Sequence, residues 1–329
     1  MQNFLIRCDA NKKNGFGHFS RCLNLARGIK HKLPKARIVF LGDYDNVPTQ
    51  LIEKYKMVKK ALFDSINDEV NYSRDFDYFI LDSYYIDQNY IDRYCEEPIK
   101  FIKIDDFNDL NLEQVEVVVN FCLRGTSIKY RSKKQYLGIT YLPVSEEFKL
   151  LRLRNMNQFK DRVDKVLVFF GAADKYNTSF KMVKLLDKVL NNATISLITV
   201  QDQFQLHNSK NNNEIEYLPL SPDMGKYLEK TDVVITGGGL TKYECAYSCI
   251  PNASLTQTVE QDEEVQTFAK AGLTYYLGMA VNLDLQKDEV VKKLKEFLSM
   301  NIRWSLFENG KNKFTTESTQ TLVQAILKN

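Results

Sequence analysis

Short apolar runs of strand length alternate with amphipathic stretches of helix length along the chain. In the first half, continuous runs rich in β-branched and aromatic residues occur at NFLIRC, RIVFLG, DYFILD, IKFIKID and VEVVVNF. The stretches HFSRCLNLARGIKHKL and IDQNYIDRYCEE instead carry apolar residues at helical spacing. Uninterrupted apolar runs are expected for strands covered on both faces. The alternation therefore predicts an α/β fold in which helices wrap a mainly parallel, doubly wound sheet.

The pattern lapses between residues 127 and 164 and then restarts. A second set of strand-length runs follows at KVLVFFG, TISLITV, IEYLPL, DVVITGGG and NASLTQ, with helical stretches between them. The lapse predicts two α/β domains, residues 1–160 and 161–329. The final helical stretch, STQTLVQAILKN, is one that could fold back onto the first domain.

Length and composition restrict the classes of function. At 329 residues the chain exceeds the roughly 100–200 residues of one domain, and two domains imply a cleft. Lys and Arg (45) nearly balance Asp and Glu (42), so no nucleic-acid partner is predicted. Because no apolar run approaches the roughly 18–20 residues of a membrane span, we expect a cytoplasmic protein with no membrane span and no obligate protein partner. The three histidines lack metal-ligand spacing, and no metal site is expected.

A glycine-rich segment, CDANKKNGFGHFS, follows the first predicted strand. In doubly wound sheets, ligands bind beyond the carboxyl ends of the strands, where helices begin. Gly15 and Gly17 let the backbone approach a ligand closely, and the N–H groups of the following helix favour an anion. His18 stands at the helix start, whose positive end disfavours imidazolium, and a neutral ring can act as a general base. The alternative is a histidine that caps the helix or packs against it.

A second glycine-rich segment, DVVITGGGLTKYE, runs from a predicted strand through residues 237–239 into a helix. Three glycines allow a diphosphate to lie against the backbone. Glu244 is placed to accept hydrogen bonds from a ribose diol, with a solvated helix carboxylate as the alternative. The turn FFGAAD, from Gly171 to Asp174, ends the equivalent strand at the head of the second domain, and Asp174 with Asn177 is expected to cap the next helix.

Six segments, taken together and in this order, resemble one family: RCDANKKNGFGHFSRCLNLA, LDSYY, KIDDF, LPVSEEF, VFFGAADKYN and TGGGLTKYE. The family is the UDP-sugar hydrolase of pseudaminic acid biosynthesis with its spore-coat polysaccharide relatives, and the resemblance spans nearly the whole chain. Its most specific part is the glycine-histidine block followed by Arg-Cys-Leu-x-Leu-Ala. The glycine-glutamate block is shared more widely with nucleotide-sugar transferases of the GT-B fold, including the peptidoglycan GlcNAc transferase.

The resemblance implies a GT-B protein of two Rossmann-like domains facing across a cleft, with UDP held mainly by the C-terminal half and the sugar facing the N-terminal half. Family hydrolases use no metal, no cofactor is implied, and water displaces UDP from the anomeric carbon. His18 would activate the water, and Tyr84 would match a sugar-site tyrosine. The resemblance also implies contacts with the UDP-sugar from Gly15, Gly17, Arg21, Gly171, Asp174, Gly237, Gly238, Gly239, Leu240, Thr241, Glu244, Glu260 and Gln261. Asp105 and Asp106 are cleft candidates by their position at a strand end, or simply terminate that strand.

Three short stretches depart from the family pattern. This chain has Asp82-Ser83-Tyr84-Tyr85 where Asp-His-Tyr-Gly is common, Gly171-Ala172-Ala173-Asp174 where Gly-Gly-Thr-Asp is common, and Glu260-Gln261 where Asn-Gln is usual. These changes affect the identity of the sugar more than the fold or the nucleotide class. Hydrolysis of a UDP-linked deoxy-diacetamido sugar is the first hypothesis. An inverting glycosyltransferase that uses the same base and a non-catalytic nucleotide-sugar-binding module are the alternatives.

Overall fold

The computed structural model describes residues 1–11, 14–171, 174, 176–199, 209, 211–221 and 224–328. The chain divides into two compact units. The first unit comprises Met1–Ser145 together with Glu317–Asn329, and the second comprises Glu146–Thr316.

The first unit is built on one parallel sheet. Its strands are β1 Asn3–Arg7, β2 Arg37–Leu41, β3 Val58–Lys60, β4 Tyr78–Leu81, β5 Lys100–Ile104, β6 Val117–Asn120 and β7 Lys134–Leu137. Its helices, numbered in chain order, are α1 Gly17–Lys32, α2 Asn46–Lys54, α3 Ile66–Ser73, α4 Gln88–Cys95 and α12 Ser318–Leu327, with 3₁₀ helices at Leu123–Ser127 and Ile139–Tyr141. The strand order is β3-β2-β1-β4-β5-β6-β7, and neighbouring strands run parallel.

The central strands of this sheet are buried on both faces, which explains their uninterrupted apolar runs. Almost every residue of β1, β4, β5 and β6 is buried, as parallel strands covered by helices require. The edge strands β3 and β7 are short and largely exposed; the sequence analysis missed both because they lack an apolar run. The strand order reverses between β1 and β4, so the segments that follow these two strands border a crevice at the carboxyl edge of the sheet.

The second unit repeats this plan with six strands. They are β8 Lys165–Phe169, β9 Thr194–Thr199, β10 Glu214–Pro219, β11 Val233–Thr236, β12 Asn252–Thr256 and β13 Tyr275–Met279. The helices are α5 Glu146–Asn155, α6 Thr178–Val189, α7 Met224–Glu229, α8 Thr241–Tyr247, α9 Val259–Lys270, α10 Lys287–Phe297 and α11 Met300–Lys313, with a 3₁₀ helix at Ala280–Asn282. The order is β10-β9-β8-β11-β12-β13, again parallel, and it reverses between β8 and β11. The doubly wound α/β class predicted from the pattern is confirmed.

The second unit begins with α5, earlier than the predicted boundary between residues 160 and 161. The buried side chain of Arg152 gives the reason, because all the partners of its guanidinium among the described residues lie within this unit. At 2.6 to 3.0 Å it reaches the backbone oxygens of Tyr247, Gly310, Lys311 and Phe314. Two leucines of α5 are exposed, which disrupts the apolar stripe by which a helix is recognised in a sequence.

Helix α12 packs on α1 in the first unit. A Cβ added to Gly28 would lie 2.7 Å from Thr319 Cγ2, so the glycine permits this close approach. Thr319 Oγ1 lies 2.8 Å from both the backbone N and the backbone O of Val144, which attaches the helix to that unit. Over the described ranges, no helix combines the length and apolar character that crossing a membrane would require.

Candidate functional site

The loop after β1 positions His18. Gly15 adopts a φ of +72°, a left-handed conformation that glycine tolerates. Its N–H donates to Asn11 O at 2.8 Å, and the N–H of Asn14 donates to Asn11 Oδ1 at 2.9 Å. Helix α1 begins at Gly17, so His18 is the second residue of the helix.

His18 forms a dyad with Asp82, which follows β4. His18 Nδ1 lies 2.6 Å from Asp82 Oδ1, a separation that requires a proton between the two atoms. Nδ1 therefore carries a hydrogen, and Nε2 is the ring nitrogen left to accept a proton. The His18 side chain is 15% exposed, so water can reach it. The ring therefore lies beside both a carboxylate and the positive end of helix α1, two neighbours of opposite sign.

Arg21, one turn further along α1, is enclosed between two carboxylates. Its Nε and Nη2 each donate to Asp82 at 2.6 Å, and its Nη1 donates to the two oxygens of Asp106 at 2.9 and 3.2 Å. Burial opposes the charge of Arg21, but Asp106 and Asp82 raise its pKa well above the usual value. Burial also opposes the charge of Asp82, but Arg21 and His18 hold the pKa of this carboxyl far below its usual range. The protein's own carboxylates thus occupy the guanidinium that the resemblance assigns to the substrate.

Tyr84 joins the same network from the segment after β4. Its hydroxyl donates to Asp106, and its ring meets the His18 ring edge to face, with the centroids 4.3 Å apart. Burial of the hydroxyl and the neighbouring Asp106 carboxylate raise the pKa of Tyr84 well above its usual value, so the phenol stays protonated at neutral pH. The residue as a whole is 47% exposed. Part of its ring is therefore accessible to a ligand beside the histidine.

The two carboxylates after β5 have different surroundings. Asp106 belongs to the network just described. Asp105 Oδ2 instead accepts the N–H groups of Phe107 at 3.1 Å and Asn108 at 2.6 Å, together with the hydroxyl of Tyr130 at 2.7 Å. Asp105 therefore shapes the turn that ends the strand.

In the second unit, a buried lysine holds the segment after β11. Lys242 Nζ donates to Gly238 O at 2.7 Å and to Gly239 O at 3.3 Å, and the residue is 2% exposed. Because the N–H of a trans peptide points away from its C=O, the N–H groups of Gly239 and Leu240 point away from the ammonium. The sequence analysis missed Lys242, since a lysine within a helix ordinarily indicates a solvated face.

Glu244 lies on α8, one turn after Thr241 at the helix start. The residue is 6% exposed, and among the described residues no hydrogen bond reaches its carboxyl group. Burial raises the pKa of Glu244 to about 7. The alternative of a solvated helix carboxylate therefore does not hold. The side chain is a buried acceptor that lacks a donor in this part of the chain.

The turn after β8 lies beside the segment after β11. Gly171 has a φ of +87°, and Asp174 accepts two N–H groups of the first turn of α6, one on each carboxylate oxygen, at 2.8 Å. Asp174 therefore caps the helix. Asn177, expected to share this role, is left-handed with a φ of 49°, and its side chain makes no capping hydrogen bond. Ala172 and Ala173 lie outside the described residues.

The start of α9 packs against the glycine segment. A Cβ on Gly238 would lie 2.6 Å from Gln261 Cβ, so glycine is required for this contact. Gln261 Oε1 accepts the N–H of Gln257, and its own N–H donates to Thr258 Oγ1, both at 3.3 Å. Glu260 is exposed on the helix surface. Of the two residues that the resemblance implies here, Gln261 is the one that contacts the glycine segment.

The site residues predicted from the sequence divide between the two units. The first unit carries Gly15, Gly17, His18, Arg21 and Tyr84; the second carries Gly171, Asp174, Gly237, Gly238, Gly239, Leu240, Thr241, Glu244, Glu260 and Gln261. Nowhere in the described part of the chain do three or more His, Cys, Asp or Glu side chains form a group that could hold a metal ion.

Two curated proteins resemble the sequence, while no family model matches it. The spore coat polysaccharide biosynthesis protein SpsG of Bacillus subtilis is 22% identical over 321 residues, which cover 93% of this chain and 92% of that protein. An uncharacterized protein of Methanocaldococcus jannaschii is 24% identical over 283 residues, covering 80% of this chain. The alignment spans 58% of that second relative's length.

Solved structures share the architecture. MurG of Acinetobacter baumannii superposes with a TM-score of 0.70 at 13% identity, with 100% of both chains covered. S. aureus MnaA, solved with UDP, gives 0.64 at 10% identity, covering 99% of this chain and 96% of that one. The Anabaena protein HepE, solved with UDP and glucose, gives 0.59 at 9% identity over 100% of both chains. These likenesses establish the fold: the chain has the GT-B fold, with one Rossmann-like parallel sheet in each unit.

Proposed function

We propose that the chain is a UDP-sugar hydrolase that needs no metal. Its substrate is a UDP-linked deoxy-diacetamido sugar, cleaved at the anomeric carbon to give UDP and a free sugar for pseudaminic or related nonulosonic acid synthesis. The observation that carries the proposal is the dyad of His18 and Asp82, whose Nδ1 and Oδ1 atoms are 2.6 Å apart. The similarity to SpsG and the presence of UDP in two proteins of the same fold support the nucleotide-sugar class.

His18 is the general base of the proposed reaction. Its Nε2 accepts a proton from water while the water oxygen forms a bond to the anomeric carbon. The bond from that carbon to the β-phosphate oxygen breaks, its electron pair leaves with UDP, and the configuration inverts. Asp82 holds the Nδ1 hydrogen and stabilises the imidazolium as it forms. General-base assistance of this kind accelerates a reaction by about 10²–10⁴-fold.

The second unit is assigned to UDP. The N–H groups of Gly239 and Leu240, turned outward by Lys242, suit the negative diphosphate. Glu244 accepts the two ribose hydroxyls, which are the donors that its buried carboxylate lacks among the described residues. Tyr84, with its partly exposed ring beside His18, contacts the sugar.

Incubation of the protein alone with UDP-sugar mixtures, followed by NMR, tests this function. The expected products are UDP and a reducing sugar of inverted anomeric configuration, at a rate that EDTA does not change. Turnover only after a sugar acceptor is added would replace hydrolysis by glycosyl transfer with the same base. Binding of UDP without turnover of any UDP-sugar would identify a binding module.

A further inference from the structure

Asp106 has no part in the proposed cleavage, yet only Arg21 separates it from the dyad. The guanidinium of Arg21 binds both oxygens of Asp106 through Nη1 and both oxygens of Asp82 through Nε and Nη2. Its Nη2 also lies 3.2 Å from His18 Nδ1. We propose that Asp106 is a positioning residue that acts through Arg21 to set the pH range in which His18 serves as the base, and that Tyr84 moderates this action.

The charges of the cluster give the direction of the effect. Asp82, Arg21 and Asp106 bring two negative charges and one positive charge, so protonation of His18 makes the cluster neutral. Their side chains are 0%, 8% and 9% exposed, and solvent screens charges at such burial weakly. An amide in place of Asp106 would leave Arg21 and Asp82 already balanced. The imidazolium would then be an excess buried charge, and the ring would lose its proton at lower pH.

Of the other titratable and charged groups around the cluster, Cys22, Arg124 and Lys103 keep their partners when the Asp106 carboxyl is replaced, whereas Cys122 donates to that carboxyl. Cys22 of α1 donates to Asp82 at 3.4 Å, and Cys122, after β6, donates to Asp106 at 3.5 Å. Arg124 donates to the backbone oxygen of Asp106 at 3.3 Å. Lys103 of β5 donates to two backbone oxygens, those of Ser83 at 3.3 Å and Ile104 at 2.7 Å. Replacement of Asp106 by Asn removes one negative charge and one acceptor oxygen, and Asp106→Glu, which restores both, separates the charge from the change of side chain.

Loss of the Tyr84 hydroxyl should act in the opposite direction to loss of the Asp106 charge. The hydroxyl donates to Asp106 Oδ2, the oxygen that also accepts from Arg21 Nη1 at 2.9 Å, and so withdraws part of the negative charge that Arg21 contacts. Without this hydrogen bond the Asp106 charge is more available to Arg21 and His18, and the imidazolium is favoured. A ligand that takes the Tyr84 hydroxyl would have the same effect, which couples the exposed part of Tyr84 to the base.

The inference rests on the proposed function only for its kinetic consequence, so the first experiment uses no substrate. The His18 ring signal, assigned by its loss in His18→Gln, is followed by NMR as a function of pH. We expect Asp106→Asn to lower the titration midpoint of the ring by about one pH unit, the low end for a nearby charge. Asp105→Asn, the matched control, should leave it unchanged. A wild-type midpoint in Asp106→Asn, or an equal shift in Asp105→Asn, would overturn the proposal.

Two further variants guard against a folding defect. Asp106→Glu keeps the charge and should return the midpoint toward the wild-type value. Tyr84→Phe removes only a hydroxyl from a partly exposed residue, so it is expected to fold, and it should raise the midpoint. If Asp106→Asn does not fold, an unchanged or lowered midpoint in Tyr84→Phe would reject the inference.

Kinetics then separate the inference from the proposed function. If the protein hydrolyses a UDP-sugar, the acidic limb of kcat/KM should move with the NMR midpoint in each variant. A shifted midpoint without turnover of any UDP-sugar would reject the function and keep the coupling. Turnover with a midpoint that does not respond to Asp106→Asn would reject the coupling and keep the function.

Discussion

The candidate site residues of the two units differ in whether their buried charged side chains have hydrogen-bond partners. In the first unit, Asp82, Arg21 and Asp106 pair with one another and with His18. In the second, Glu244 is buried with no donor among the described residues. A complete network holds reacting groups in position. A buried carboxylate without a donor instead costs folding free energy that the hydroxyls of a ligand can recover. This difference supports the proposed division of roles, with the chemistry in the first region and ligand recognition in the second.

Among the changes that test this contrast, removal of the His18 imidazole should have the largest effect, and that effect should be on turnover. His18→Ala should lower turnover by about 10²–10⁴-fold because the base is lost. The affinity for UDP should change by a few-fold at most. Steady-state kinetics and calorimetric titration with UDP measure the two properties. His31→Ala, an exposed histidine in the last turn of the same helix, is the control and should behave as wild type. Equal loss of turnover and UDP affinity in His18→Ala would contradict the division of roles.

Removal of Glu244 should give the reverse pattern. Glu244→Ala should weaken UDP binding by about 1–3 kcal/mol because two ribose hydroxyls lose their acceptor. The matched control changes the ligand instead of the protein, because 2′-deoxy-UDP lacks one of these hydroxyls. The ratio of the affinities for UDP and 2′-deoxy-UDP should therefore be smaller in the variant than in wild type. Calorimetric titration gives all four affinities. Undiminished discrimination in the variant would mean that Glu244 does not face the ribose.

Two neighbouring glycines test how tightly the second segment is packed. Gly238→Ala would bring a Cβ to 2.6 Å from Gln261 Cβ, whereas a Cβ at Gly239 has no atom within 4 Å. We expect Gly238→Ala to lower the free energy of unfolding by about 1–2 kcal/mol through overpacking. Gly239→Ala should stay within about 0.5 kcal/mol of wild type. Urea denaturation measures both, and equal values would show that Gln261 yields without cost.

A further test of the second unit is the pH dependence of stability that Glu244 sets. Folding raises its pKa from 4.5 to about 7, so the folded state holds a proton that the unfolded state has lost in this window. The contribution of Glu244 to stability is therefore greatest at low pH and falls as pH rises from 4.5 to about 7. Glu244→Gln should lack this decline. Thermal unfolding of both proteins across the window is the measurement, and parallel curves would refute the assignment.

The same protonation should affect binding in the opposite direction. The ionised carboxylate is the better acceptor for ribose hydroxyls, so affinity should rise with pH and level off above about 7. Uridine is the suitable probe because it has no phosphate that titrates in this range. An affinity for uridine that does not change with pH would argue against Glu244 as the ribose acceptor.

The sequence predicted the elements that carry a clear local pattern of apolar residues. It missed elements that lack such a pattern because their residues are partly exposed. The central strands were found because burial on both faces makes them continuously apolar. Strands β3 and β7 were missed because they are short and largely exposed, so neither carries an apolar run. Strand β13 was missed as well, and α5 was missed because part of its apolar surface is exposed. The predicted capping role of Asp174 holds, whereas Asn177 does not share it.

The residues of the candidate site also divide into those that the sequence predicts and those that only the structure brings together. Gly15, Gly17 and His18 lie within one short segment, so their common loop could be predicted. Arg21 is 61 positions from Asp82 and 85 from Asp106, and no local pattern indicates that these three side chains meet. Asp105 and Asp106 are equivalent in the sequence, and only their side-chain directions assign one to the turn and the other to the arginine.

The amino-acid order by itself determined the α/β class, the two glycine segments and the position of an imidazole at a helix start, because each depends on residues close together in the chain. The tertiary structure alone decided that Arg21 lies between two carboxylates, that Lys242 turns the glycine carbonyls inward, and that Glu244 is buried without a donor among the described residues. These outcomes depend on which strands become neighbours and on which side chains the packing removes from water. Both are properties of the assembled units, and neither leaves a periodic pattern in the sequence.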